Sequence, residues 1–327
     1  MGRVETSKDA AVFYWPGTSA TINFTGTNIK ATMKSSKEKG YFYAIIDNDA
    51  TKALKFESDS IKKDILLAEN LSKGKHSLQL YKLSNSTSAN IFYGFEIGGK
   101  AKLFKPSVLP KRKIEFYGNS ITAGHGVDVP QGMNDSGKPE LFNNYYTYAA
   151  LTARHFNAQS SIIARSGIGI MLSWFPEIMS EIYDRTDPFD PSKKWNFNNY
   201  TPDVVVINLF QNDSWLINKP EHQEFKQRFG TTKPTEDFII KSYQNFVASI
   251  RAKYPKAYII CALGNMDATQ PGSKWPGYIQ QAVAGLKDEK IHTVFFPYKN
   301  RSGHPNREEQ QSMADQLILF IDKTVKW

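Results

Sequence analysis

The rhythm of hydrophobic and polar positions changes once along this chain, near residue 110. From Val12 to about Gly99 short strand-like runs follow one another, among them Thr21-Ile22-Asn23-Phe24 and Tyr41-Phe42-Tyr43-Ala44-Ile45-Ile46. Turn-forming groups separate them: Gly26-Thr27-Asn28, Asp47-Asn48-Asp49, Ser72-Lys73-Gly74 and Ser84-Asn85-Ser86. Strands at this spacing, with no helical period between them, predict an antiparallel β-sandwich. Pro106 to Pro110 reads as a linker, so residues 1–108 are expected to form one domain and residues 109–327 another.

After Lys113 strand-like runs alternate with helical ones. Glu236 to Tyr254 carries the clearest helical stripe, with Ile239, Tyr243, Phe246, Val247 and Ile250 on one face and Thr235 as its cap. Asn144 to Phe156 and Arg307 to Val325 predict two more helices. Strands are expected at about 114–117, 160–164, 203–209, 257–263 and 291–296. Such alternation gives a parallel, doubly wound α/β sheet. The stretches Gly126 to Asn143 and Asp184 to Tyr200 read as functional loops near a site.

At 327 residues with 40% hydrophobic and 13% aromatic content, the chain can bury two ordinary cores. Its formal charge of +9 raises the question of nucleic acid, but the lysines are scattered. The only basic run is Lys111-Arg112-Lys113, so neither a nucleic-acid partner nor a membrane partner is expected. Cys261 is the single cysteine and sits in an apolar strand, as a buried thiol would. There is no apolar run long enough to cross a membrane and no signal-type segment. The expected location is secreted or periplasmic, with a leader already removed before Met1-Gly2, the alternative being cytoplasmic. A monomer is expected.

Candidate chemistry lies at the strand ends. Lys-Ile-Glu-Phe-Tyr-Gly-Asn-Ser-Ile-Thr, residues 113–122, runs from a strand into a tight turn with Ser120 at its tip. That serine is placed at the carboxyl edge of the sheet, where active sites of open α/β folds lie. Three further strand ends carry Ser166-Gly167-Ile168-Gly169, Asn208 to Asp213, and Gly303-His304-Pro305-Asn306. Ser, Gly, Asn and His therefore occur in that order, each on a loop after a strand.

This order resembles the SGNH (GDSL-like) hydrolase superfamily, whose four catalytic blocks carry these residues. Phe13-Tyr14-Trp15-Pro16-Gly17-Thr18 and Ile260-Cys261-Ala262-Leu263-Gly264-Asn265-Met266 look like carbohydrate esterase family 2. The resemblance covers nearly the whole chain. It implies a jelly-roll-like sandwich before the hydrolase domain, and removal of O-acetyl groups from plant polysaccharides or oligosaccharides such as xylan and glucomannan. An acetyl-serine intermediate would form on Ser120. The alternatives are another SGNH lipase or thioesterase, or a degenerate carbohydrate-binding protein.

A serine needs a base within hydrogen-bond reach, and His304 is assigned that role. His76, His155, His292 and His125 read as surface or packing residues, although His125 stands close to Ser120 in sequence. The backbone amides of Ser120 and Gly167 and the side-chain amide of Asn212 are the expected oxyanion donors, with Gly169 as an alternative to Gly167. Two departures from the superfamily pattern stand out. The Gly of its Gly-x-Asn-Asp block is Phe210, and the Asp usually found three residues before the histidine is Arg301. The expectation is therefore a Ser-His dyad, with a backbone carbonyl orienting the imidazole; neither Asp213 nor Asp267 is given that task. Trp215, just beyond Asn212-Asp213, and Trp275, in the Pro- and Gly-rich loop after Met266, are candidate platforms for sugar rings. No spacing suits a metal and no phosphate or dinucleotide fingerprint appears, so no cofactor is expected.

Overall fold

A computed structural model describes residues 1–327. Two five-stranded antiparallel sheets come first. One runs Val4–Thr6, Ala11–Phe13, Asn90–Gly98, Asn28–Ser35, Lys63–Ala68 in spatial order, and the other Lys102–Phe104, Ser19–Thr25, His76–Lys82, Gly40–Ile46, Leu54–Ser58. Their inner faces close over Phe13, Phe24, Ile29, Met33, Phe42, Leu78 and Leu80. The turn groups that punctuate the sequence fall between these strands, and Asp47 and Asn48 take the left-handed backbone a tight turn needs.

The third sheet is parallel throughout, in the spatial order Gln159–Ala164, Lys113–Gly118, Val204–Asn208, Tyr258–Leu263, Ile291–Phe295. Its strands read as continuous apolar runs because both faces are covered. One face packs under Tyr243, Phe246, Val247 and Ile250 of the helix Glu236–Lys253, capped as expected by Thr235. The other packs under Tyr148, Ala149, Met313, Leu317 and Ile321. The first strand in sequence lies second in the sheet, so the strand order reverses beside it. Ser120 follows that strand and Asn212 follows its neighbour, which puts both at the topological switch point.

Three expectations need correcting. Residues 144–156 do not form one helix: a 3₁₀ turn at Asn144–Tyr146 precedes the helix Tyr148–His155, because Thr147 is the cap that starts the regular segment. Trp275 does not lie in a loop but opens the helix Trp275–Ala284, where Pro276 is tolerated because the first-turn N–H groups need no partner. Finally, the stretch from Asp184 to Tyr200 serves as a seat for the amino-terminal sandwich. The carbonyl of Thr186 accepts from the Trp15 indole at 2.8 Å, and Lys193 pairs with Glu5.

The sandwich docks on the parallel sheet through a fully buried charge pair. The Arg3 guanidinium reaches Glu115 at 3.1 Å and Tyr117 OH at 2.9 Å, and also donates to the carbonyls of Tyr183 and Arg185. Glu115 in turn accepts from the hydroxyls of Tyr117, Tyr254 and Ser161. Removing one partner of such a pair strands a charge in the core, at a cost of about 3–5 kcal/mol. Arg3→Ala should therefore lower unfolding stability by that amount in urea titrations; a loss under about 1 kcal/mol would contradict this account of the junction.

Candidate active site

The turn that carries Ser120 is dictated by its neighbours. A Cβ on Gly118 would lie 2.0 Å from Thr122 Oγ1, so only glycine fits where the strand ends. The Asn119 side chain then accepts from the Ile121 N–H and caps the short helix Ser120–Ala123, which Gly124 closes at φ +94°. Ser120 is held at the first position of that helix, where its own N–H has no intrahelical acceptor.

Ser120 Oγ lies 2.9 Å from Nε2 of His304. His304 sits on the loop between the last strand and the carboxyl-terminal helix Arg307–Thr324. Its Nδ1 is 2.5 Å from Oδ2 of Asp135. A carboxylate only accepts, so Nδ1 carries the proton and Nε2 is free to accept the Ser120 hydroxyl hydrogen. The expected dyad with a carbonyl orienter is thus corrected: the orienting group is a carboxylate from the loop 126–143. Arg301 occupies the usual position of that acid but turns away, pairing with Glu309 and donating to the His304 carbonyl at 3.0 Å.

Asp135 is shared. Its Oδ1 is 3.0 Å from Nε2 of His125, whose Nδ1 is 3.0 Å from Ser166 Oγ. The His125 and His304 rings stack with centroids 3.8 Å apart and planes within 10°. His125, read from the sequence as packing, therefore belongs to the site; its signal was only its proximity to Ser120. His125, Asp135 and His304 bring three potential ligand atoms within 4.8 Å of one another, although they come from separated segments. Those atoms are all engaged in the hydrogen bonds just described.

Burial lowers the His304 pKa, outweighing the opposing effect of Asp135. Burial alone would raise the Asp135 carboxyl, but hydrogen bonds and charge from His125 and His304 hold it well below the usual carboxylate range.

The other sequence candidates gather on the same edge. Gly167 takes φ +86° in the loop after Gln159–Ala164, and its N–H has no acceptor within the protein. Asn212 donates one amide hydrogen to the Ile168 carbonyl at 2.7 Å, while its Oδ1 accepts from the Trp174 indole at 3.1 Å. Those two contacts fix the amide orientation and leave its second hydrogen unassigned. Gly169 is not an open donor, because its N–H bonds Ser173 Oγ. Asp213 accepts from the N–H groups of Ile170, Met171 and Leu172 and so pins the loop that carries Gly167. From the sandwich, Asn85 Oδ1 accepts from the Ser166 N–H at 3.0 Å.

Phe210 has φ +85°, the left-handed region, which explains a glycine at this place in the superfamily pattern. That backbone costs a phenylalanine about 1–2 kcal/mol. Truncating a buried phenylalanine to alanine costs about 3–5 kcal/mol, so the packing of this ring against Tyr243 and Trp275 outweighs the strain. Trp215 and Trp275 line a cleft of about 540 Å³ with Asp267, Gln270 and Lys274. The exposed indole in direct contact with Asn212 is instead Trp174, which the sequence reading passed over. An aromatic soon after Ser166 to Gly169 was the available clue.

Two family models match the chain: Carbohydrate esterase 2 N-terminal over residues 1–106, and GDSL-like Lipase/Acylhydrolase family over residues 116–316. The cellulase/esterase CelE of Acetivibrio thermocellus is 32% identical across 96% of this chain, which spans only 38% of that protein's length. An acetylxylan esterase / glucomannan deacetylase of Cellvibrio japonicus is 28% identical, covering 98% of this chain and 88% of that one. The structure of a family two carbohydrate esterase from Clostridium thermocellum in complex with cellohexaose superposes with a TM-score of 0.86 at 30% identity, over 98% of this chain and 97% of that chain.

A histidine acts as a base only when neutral. Because His304 is held below its ordinary value near 6.5, the neutral form persists into mildly acidic solution, and kcat/KM for an acetyl ester should fall only as pH drops below that value. A pH–rate profile on p-nitrophenyl acetate checks this; an acid limb centred above pH 7 would contradict it.

Proposed function

This chain belongs to carbohydrate esterase family 2, and on that premise we propose that it removes O-acetyl groups from plant-type polysaccharides or oligosaccharides through an acetyl-Ser120 intermediate. Ser120 Oγ attacks the acetyl carbonyl as His304 Nε2 takes its proton. His304 then returns that proton to the departing sugar hydroxyl. Water activated by the same imidazole hydrolyses the acetyl-serine. Asp135 keeps the imidazole in the tautomer this sequence needs. The N–H groups of Ser120 and Gly167 and the free amide hydrogen of Asn212 are assigned to the oxyanion.

The observation that carries the reading is the unbroken line of hydrogen bonds from Ser120 through His304 to Asp135. Two features favour a small acyl group on a sugar over a lipid. The groove beside His304 carries Gln131, Asn134, Asp135, Arg301, Ser302 and Asn306, which can hydrogen-bond a sugar, and Val129 and Met133 are its only hydrophobic lining residues. Trp174 presents an exposed aromatic face beside Asn212, suited to the apolar face of a pyranose ring. The relatives named acetylxylan esterase / glucomannan deacetylase, and the one held with cellohexaose, suggest xylan and glucomannan as the polymers to try first.

The test is acetate release from acetylated xylan and glucomannan, with p-nitrophenyl acetate and octanoate compared alongside. Acetate should be released and the acetyl ester strongly preferred. Ser120→Ala and His304→Ala should each lower turnover by at least about a thousandfold, and the double variant should be little worse, because the two act as one unit. Retention of a tenth of the activity by Ser120→Ala would exclude the mechanism.

A further inference from the structure

The carboxylate that orients His304 is itself carried on a loop. Asp135 lies between Gly126 and Pro139, in a segment without strand or helix. Only one of its oxygens faces His304, through Nδ1 at 2.5 Å and, more weakly, the backbone N–H at 3.4 Å. Contacts on one oxygen leave a carboxylate free to swing about its side-chain torsions. The second oxygen is therefore decisive. It accepts from His125 Nε2 at 3.0 Å and from the Gly137 N–H at 3.2 Å.

His125 is fixed from several sides. Its N–H donates to the Ser120 carbonyl at 3.0 Å, which ties it to the turn of the nucleophile. Its ring lies between Phe142, with centroids 4.5 Å apart, and His304 at 3.8 Å. Since Nε2 donates to a carboxylate, the neutral ring accepts at Nδ1, where the Ser166 hydroxyl supplies the hydrogen. Ser166 is held through its N–H by Asn85 of the sandwich. Gly126 allows the loop to pass this closely, since a Cβ there would meet His304 Cβ at 2.9 Å.

We propose that His125 is a positioning residue for His304, acting through the carboxylate the two imidazoles share. The proposal rests on the reading of Ser120, His304 and Asp135 as the catalytic set. With Oδ1 engaged by His125, Asp135 keeps Oδ2 on the Nδ1 proton of His304 through both proton transfers. A neutral His125 is required: a second cation stacked 3.8 Å away would oppose protonation of His304 in the transition state. The groups facing the pair are Asp135 from the loop, Ser166 and Phe142, both uncharged, and Lys299 and Arg301 from the segment before His304, with Glu309 neutralising Arg301.

The experiment compares His125→Phe, which keeps the ring stack and removes the hydrogen bonds, with His125→Gln, whose amide donor reaches about as far as Nε2. Rates are normalised to active sites counted by the acylation burst, so that misfolded protein does not enter. His125→Phe should lower kcat for an acetyl ester by about tenfold or more with KM within about twofold. It should also move the acid limb of kcat/KM upward by about half a pH unit, because Asp135, relieved of the hydrogen bond from His125, then stabilises the His304 imidazolium more strongly. His125→Gln should recover most of kcat. In an Asp135→Asn background, His125→Phe should add less than about twofold. A His125→Phe enzyme with wild-type kcat and acid limb would overturn the proposal, as would a His125→Gln enzyme no better than His125→Phe. His304→Ala run in parallel separates the two readings: if it stays active, the catalytic set itself is wrong, whereas an inactive His304→Ala beside a normal His125→Phe removes only the role of His125.

Discussion

An ionised carboxylate held largely out of water is the constraint around which this site is built. Burying Asp135 costs several kcal/mol unless donors replace the water it loses. Four do so: the two imidazoles and the N–H groups of Gly137 and His304. Each donor sits on a segment that must itself be held, and the holding extends through much of the molecule. The same loop carries Asp128, whose carboxylate takes Lys55 from the sandwich at 2.6 Å, Arg307 from the carboxyl-terminal helix at 2.6 Å and the Asn143 amide at 2.9 Å. Asn143 also donates to Tyr43 OH, again from the sandwich.

The amino-terminal sheets therefore reach the Ser120, His304 and Asp135 cluster through one or two side chains. Arg3 and Glu115 lock them to the parallel sheet, Lys55 and Tyr43 brace the loop of Asp135, and Asn85 holds Ser166. An accessory role confined to solubility or tethering would not need contacts so close to Ser120. The arrangement is consistent with the membership in carbohydrate esterase family 2, whose amino-terminal model and hydrolase model match this chain in succession.

Much of this was legible in the sequence, for reasons that differ by residue. The five parallel strands announce themselves as apolar runs because both sheet faces are covered, and the helix Glu236–Lys253 because one face is not. Ser120 and His304 were legible because each stands on a loop after a strand, in a recognisable order. Asp135 was not. Gly132 to Gly137 has the composition of an ordinary turn, and nothing local distinguishes a carboxylate that caps a turn from one recruited to a histidine distant in sequence. Its partner His125 was missed for the same reason: stacking and sharing are tertiary facts. Phe210 shows a further limit, since a left-handed backbone at a bulky residue runs against local preference and persists only because packing outweighs it.

The central claim is that Asp135, not a main-chain carbonyl, orients the histidine that activates Ser120. Steady-state kinetics of Asp135→Asn on an acetyl ester tests it most directly. An amide at this position can donate as well as accept, so it supports the wrong imidazole tautomer and withholds the negative charge while leaving the shape of the site intact. The kcat should fall by at least about a hundredfold with little change in KM. A variant that is folded and turns over within about threefold of the unaltered enzyme would contradict the account and return the site to a dyad.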